Sequence, residues 1–378
     1  MANGVDCPGT RLPPRPFDIA RGASRERPAP GGTLMLYRLV RPFLFSMEPE
    51  RAHHFTMHVL ELAHQTKSVR LIGGAPLISA PRRVMGLSFP NPVGLAAGLD
   101  KNGEHVDALA ALGFGFIEIG TVTPRPQPGN PAPRMFRLVS DRAIINRMGF
   151  NNDGVDCLLS NVASARYRGI LGINIAKNFD TPLERAVEDY VFCMRKVYAA
   201  ASYITINISS PNTANLRQLQ HEHELDRLLD ALSRERRGLT QVYGKRVPLA
   251  VKIAPDLAQM DIECMASLFI RHEIDAVIAT NTTVSREGLT GARDADQPGG
   301  LSGAPLKALS TKIVAQLAAV LAGRVPIIAA GGIFSAADAR EKIAAGASLV
   351  QLYSGLVYEG PSLVRNVARA LAQIESKH

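Results

Sequence analysis

The chain has 378 residues, 46% of them hydrophobic, 20% charged and 6% aromatic, with no Trp. That balance suits a globular protein with a large core and excludes collagen-like and wholly disordered chains, while the length admits either two or three domains or one α/β barrel with an appendage. The formal net charge is +9, with 10 basic against 6 acidic side chains in the first 70 residues, and the absence of Lys/Arg blocks interleaved with aromatic rings excludes nucleic acid as the obvious partner.

In chain order, residues 1–33 are rich in Pro, Gly and Arg without apolar periodicity and are expected to form a disordered leader. A transit peptide is the competing reading, which Asp6, Asp18, Glu26 and six prolines suit poorly; Met35 is an alternative start. Residues 34–80 are expected to form a helical segment. Its opening run, LMLYRLVRPFLFSM, is too short and too charged to cross a bilayer, which takes about 20 apolar residues. Glu48-Pro49-Glu50 then signals a helix start, with Ala52, Phe55, Val59, Leu62 and Ala63 expected on one face. Two short amphipathic helices fit either an interfacial membrane anchor or a hairpin packed on the main domain. The His54/His58 pair lacks the Glu of a zincin helix, and no metal site is expected. Cys7, Cys157, Cys193 and Cys264 form no CxxC pair, which favours a reducing compartment.

From residue 81 to 378 the chain alternates short β-branched apolar runs with longer helical stretches. The runs are Val93–Ala97, Phe116–Val122, Leu171–Ala176, Tyr203–Ser209, Pro248–Ala254, Ala276–Thr282, Pro326–Gly331 and Leu349–Ser354. Eight such strands buried on both faces predict a closed (β/α)8 TIM barrel behind an N-terminal two-helix extension. The rival, a doubly wound open sheet, would normally carry GxGxxG after its first strand, which is missing here.

Barrel sites form at the carboxyl ends of the strands, and those ends are unusually polar. Lys101, Thr121, Asn174, Asn207 with Ser210, Lys252, Thr280-Asn281-Thr282, Gly331-Gly332 and Tyr353-Ser354 occupy them in turn. An unpaired buried polar group costs about 1–3 kcal/mol and a charge more, so this rim is expected to bind something. Gly331-Gly332, followed by Ser335 as a helix cap, offers bare amides where barrels commonly hold phosphate, and Gly299-Gly300 and Gly303 are expected in a neighbouring loop.

Five motifs lie along this rim: Ala96–Lys101 (AAGLDK), Gly120–Asn130 (GTVTPRPQPGN), Asn146–Phe150 (NRMGF), Asn207–Asn212 (NISSPN) and Lys252–Asp256 (KIAPD). In this order they resemble the flavin-dependent dihydroorotate dehydrogenases, specifically the membrane-associated, quinone-using class, from about Leu36 to the C-terminus. Ser354 departs conservatively from a Thr of some members. The resemblance implies FMN as cofactor, dihydroorotate oxidised to orotate in pyrimidine biosynthesis, and a membrane quinone as electron acceptor. It assigns FMN to Ala97, Gly98, Lys101, Thr121, Asn174, Asn207, Lys252, Thr280, Gly303, Gly332, Tyr353 and Ser354. Substrate falls to Lys101, Asn146, Arg147, Met148, Gly149, Phe150, Asn207, Asn212, Asn281 and Thr282, the catalytic base to Ser210, and the quinone to His53, Arg137 and Tyr353. A peripheral membrane protein follows, on the cytoplasmic face of a bacterial inner membrane or, alternatively, at a mitochondrial inner membrane.

Three other readings stay open on the residues alone. A soluble member using fumarate or NAD would carry Cys in place of Ser210. Another FMN barrel would need different base chemistry, and an inert membrane-bound scaffold would carry no flavin.

Overall fold

The computed structural model describes residues 32–72, 76–291 and 293–375, so the expected leader falls almost wholly outside the described residues. The chain opens with helices α1 (Gly32–Ser46) and α2 (Pro49–Gln65) and a hairpin of β1 (Arg82–Val84) and β2 (Leu87–Phe89). There follow β3 (Val93–Leu95), α3 (Val106–Ala110), β4 (Phe116–Val122), β5 (Met135–Leu138), β6 (Ala143–Asn146), α4 (Val155–Ser164), β7 (Ile170–Ile175), α5 (Ala186–Val197), β8 (Tyr203–Asn207) and α6 (Glu222–Tyr243). The second half runs β9 (Leu249–Ile253), α7 (Gln259–Arg271), β10 (Ala276–Ala279), β11 (Gly300–Gly303), α8 (Leu306–Leu321), β12 (Ile327–Ala330), α9 (Ala336–Ala344), β13 (Leu349–Leu352), α10 (Ser354–Glu359) and α11 (Ser362–Glu375).

Eight parallel strands close in the order β3-β4-β7-β8-β9-β10-β12-β13, seven within the corresponding apolar run of the sequence and β7 starting one residue earlier, at Ile170. They are buried on both faces because helices cover the outside while side chains fill the inside. The floor is an aromatic plug in which Phe89 meets Phe116 edge-on at 5.1 Å and Phe116 lies 6.4 Å from Tyr203. Glycines on the strands make the room. A Cβ on Gly94 would lie 2.2 Å from the Phe116 ring, and one on Gly172 would lie 2.2 Å from that of Tyr203.

A three-stranded antiparallel sheet, β5-β6-β11, sits apart from the barrel strands. The sequence reading misses it and places Gly299, Gly300 and Gly303 in a loop, whereas Gly300–Gly303 pairs with Ala143–Asn146 as β11. The expected face of α2 also needs correction. Glu48 does cap the helix, its carboxyl oxygens accepting from Glu50 N at 3.1 Å and Arg51 N at 2.9 Å. But its buried residues are Ala52, Met57, Leu60 and Ala63, and Phe55, Val59 and Leu62 are exposed. The helix therefore has two apolar faces, only one of which the core covers.

Replacing Phe116 with Ala removes the centre of the plug, and we expect a loss of about 3–5 kcal/mol, read from chemical denaturation. A loss below about 1 kcal/mol would mean the plug repacks.

Candidate functional site

The carboxyl ends of the barrel strands open into a cleft of about 150 Å³ lined by Ala97, Gly98, Lys101, Thr121, Asn207, Lys252, Thr280, Gly303, Gly332, Tyr353 and Ser354. Asn146, Met148, Gly149, Phe150, Ser210, Asn212, Asn281 and Thr282 line the same space. Residues at the ends of seven of the eight barrel strands, all but β7, thus converge on one mouth. Gly98 bends the chain under Tyr353 with φ of 105°, in the region that favours glycine, and its carbonyl accepts from Tyr353 OH at 3.4 Å.

Charge in this cleft is unbalanced. Neither Lys101 Nζ nor Lys252 Nζ has a hydrogen-bond or ion-pair partner among the described residues. Burial pushes Lys101 down to about 8, with Glu50 and Asp100 opposing and Arg134 adding to the shift. Burial also lowers Lys252, against the Glu118 carboxyl, which pulls the other way. Buried ammonium groups without partners suit an anionic or strongly hydrogen-bonding ligand. Thr282 Oγ1 and Gln351 Oε1 are likewise buried without a partner.

Below the cleft, the polar side chains form a ladder. Glu118 is fully buried, its Oε1 accepting from Asn174 Nδ2 at 2.8 Å and its Oε2 from Tyr203 OH at 2.8 Å and Gln351 Nε2 at 2.7 Å. Asn174 Oδ1 accepts from Thr121 Oγ1 at 2.6 Å and Asn207 Nδ2 at 3.2 Å. Asn207 Oδ1 then accepts from Ser209 Oγ at 3.1 Å and Asn281 Nδ2 at 3.4 Å. These amides satisfy one another, so the demand for a ligand rests on the lysines and the orphan oxygens.

Two expected site residues lie elsewhere. Asn174 is spent inside the ladder beneath the cleft. Arg147 turns away, donating to Gln297 Oε1 at 2.9 Å and Pro133 O at 2.7 Å while its guanidinium covers the Phe136 ring, 4.7 Å from the centroid. Conversely, Glu118, Ser302 and Gln351 were missed. Ser302 lies on the unforeseen strand β11 and meets Ser354 Oγ at 2.8 Å. Glu118 carried a readable signal, being the one charge inside the apolar run FIEIGTV.

A second cavity, of about 230 Å³ and almost wholly apolar, lies under α1 and α2, lined by residues including Leu44, Phe45, Met57, Leu60, Leu109, His53, Arg137 and Tyr353. Tyr353 borders both spaces. The roof is fastened by charge. Arg134 Nη2 pairs with Glu50 Oε1 at 3.0 Å, and Arg137 donates from Nη1 to Leu44 O at 2.9 Å and from Nη2 to Met47 O, so it holds the end of α1. Tyr37 OH donates to Val357 O at 2.5 Å.

Burial lowers His53 to about 3, and Lys101, His54 and His105 add to the shift. Because this lies below the ordinary 6.5, the neutral ring's contribution to stability is present above about pH 6.5 and is lost as pH falls toward 3. We expect the His53 imidazole to show no protonation between about pH 5 and 8 by NMR; a midpoint inside that window would contradict its burial.

The family model for dihydroorotate dehydrogenase matches residues 79–374. Two curated relatives bear the name dihydroorotate dehydrogenase (quinone). That of Azoarcus sp. is 61% identical over 89% of this chain and 99% of its own, and that of Nitrosospira multiformis is 60% identical over 89% and 96%. A crystal structure of the Eimeria tenella dihydroorotate dehydrogenase in complex with ferulenol superposes with a TM-score of 0.80 at 37% identity, covering 89% of this chain and 95% of that one. A closed barrel with this rim, an apolar chamber under two leading helices, and identity of this depth along nearly the whole length place the chain in the dihydroorotate dehydrogenase family, in its quinone-dependent class.

Proposed function

We propose that dihydroorotate is oxidised to orotate in the polar cleft, with FMN as the bound cofactor, and that a quinone in the apolar chamber takes the electrons, in pyrimidine biosynthesis. The observation that carries this is the meeting of two chemically opposite cavities at Tyr353. One suits a charged pyrimidine and a phosphate-bearing flavin, the other a hydrophobic acceptor.

The residues present fit FMN. Lys252 supplies an unpaired positive charge, Gln351 Oε1 an orphan acceptor, and the Gly332 turn packs so closely that a Cβ would lie 2.4 Å from Lys307 Cα. Thr121, Asn207 and Thr280 would hold its ring system, and Gly303, Gly332 and Ser354 its phosphate. When bound, FMN supplies the hydride acceptor. The substrate carboxylate and ring edge fall to Lys101, Asn146, Asn212 and Asn281, of which Asn212 Nδ2 already donates to Asn146 Oδ1 at 3.2 Å.

Ser210 would take the proton. Its Oγ accepts from Asn212 N at 3.2 Å, which leaves its own hydrogen free to pass onward. A serine hydroxyl, like water, ionises far above neutrality, and free alkoxide lies roughly 12 kcal/mol away at neutral pH. The proton therefore has to leave as it arrives, and the buried, unpartnered Thr213 Oγ1 is a suitable next acceptor. Lys101 offsets the charge that develops on the substrate.

Around the apolar chamber, Leu39, Phe43, Phe55, Val59 and Leu62 face outward on α1 and α2. No described helix is long and apolar enough to cross a membrane. These side chains suit a helix pair lying in one leaflet, from which a quinone could enter beside Phe55 and Val59. Arg137, His53 and Tyr353 would meet its head.

Ser210→Ala is expected to keep its flavin and lose most of its flavin reduction by dihydroorotate, roughly a hundredfold or more, in anaerobic stopped-flow. Near-normal reduction would remove the serine from the role. Deleting residues 1 to about 70 is expected to abolish quinone reduction while sparing flavin reduction by dihydroorotate; equal loss of both would make the helices structural.

A further inference from the structure

Behind the glycine turn that follows β12 lies a fully buried lysine to which the reaction assigns no work. Lys342, on α9, donates to Lys307 O at 3.1 Å, Ser310 Oγ at 2.6 Å and Thr311 Oγ1 at 2.8 Å, all on the first turns of α8. Counting protons fixes its charge. The Ser310 hydroxyl gives its own hydrogen to Ala330 O at 2.7 Å, and that of Thr311 goes to Lys307 O at 2.8 Å. All three neighbours therefore face Lys342 as acceptors, and only an ammonium has three hydrogens to give.

No carboxylate is among the hydrogen-bond partners of this ammonium. The acids nearest in sequence, Asp338 and Glu341, bind Lys307 Nζ at 2.7 and 2.8 Å instead. Burial lowers Lys342 to about 7, with Glu341 and Asp338 opposing and Lys307 adding to the shift. A buried cation normally has a paired anion. The contacts point toward the turn. Ser310 Oγ reaches Ala330 O, and a Cβ on Gly331 would lie 3.0 Å from Ser310 Oγ. Ala330, Gly331 and Gly332 line the polar cleft on their other side.

We propose that Lys342 is the buried counter-charge of the cofactor phosphate, a positioning residue that acts through Ser310 on the Ala330–Gly332 turn without touching the cofactor. The inference rests on the reading that FMN lies in this cleft with its phosphate at that turn. A dianion there would meet amide hydrogens first and, one hydrogen-bond layer behind them, a full positive charge poorly screened by water. Lys342 therefore discriminates between a flavin with a phosphate and one without.

The test is a titration of flavin-depleted full-length protein with FMN and with riboflavin, followed by flavin fluorescence, in wild type and Lys342→Met. We expect the variant to lose roughly tenfold or more in FMN affinity while riboflavin affinity stays within about twofold. Equal losses for both flavins, or no loss for either, would overturn the proposal, the first by making Lys342 a general support of the fold. Should Lys342→Met fail to fold, Ser310→Ala decides: a loss confined to FMN supports the proposal, and an unselective or absent loss overturns it. A wild type that binds FMN no better than riboflavin would overturn the placement of the phosphate itself, and the inference with it.

Discussion

The polarity of the whole site depends on one buried carboxyl group at the barrel axis. Glu118 receives three donors, from Asn174, Tyr203 and Gln351. Because Asn174 turns its amide hydrogens down to Glu118, its oxygen is left to Thr121 and Asn207. Asn207 must then spend hydrogens below and show its oxygen above, to Ser209 and Asn281. Donor and acceptor order is thus handed from floor to mouth, each step leaving no amide free to flip. Each orphaned buried group would cost about 1–3 kcal/mol, so the ladder holds or fails as a unit. The same carboxyl opposes the burial shift of Lys252, which links the floor to the charge of the cleft.

Above that floor the molecule keeps two solvents apart. The cleft is polar and carries unpartnered ammonium groups, whereas the chamber under α1 and α2 is apolar and meets it at Tyr353. The helices that roof the chamber depend on arginines from the β5 region, Arg134 gripping Glu50 and Arg137 the Leu44 carbonyl of α1 and the Met47 carbonyl just beyond it. An acceptor soluble in lipid and a substrate soluble in water can thereby exchange electrons without sharing a pocket. The outward apolar face of α1 and α2 suits the same division, since the acceptor's source would be the bilayer.

The barrel was legible in the sequence because strands buried on both faces leave continuous apolar runs, and each of the eight runs coincides with a barrel strand to within one residue at its start. Lys101, Ser210, Lys252 and the Asn281 triplet were legible because polar side chains closing such runs have few other reasons to be there. The antiparallel sheet was not, since β11 is only Gly-Leu-Ser-Gly and its pairing with β6 spans a sequence separation that no local pattern encodes. That the Arg147 side chain lies off the cleft was not legible for a related reason: a motif fixes its position in the chain, but tertiary contacts with Gln297 and Phe136 decide where its side chain points. The second apolar face of α2 was read as the first because periodicity reports that a stripe is apolar and not what covers it.

The claim that joins these parts is that one polar cleft passes electrons from dihydroorotate to an acceptor held in the apolar chamber. Anaerobic mixing of the full chain with dihydroorotate, then with a quinone, fumarate or NAD in separate runs, tests it most directly. The account predicts that dihydroorotate alone bleaches the flavin absorbance and that quinone restores it while fumarate and NAD do not. A flavin that dihydroorotate leaves oxidised, or one that fumarate or NAD reoxidises while quinone is inert, would contradict it.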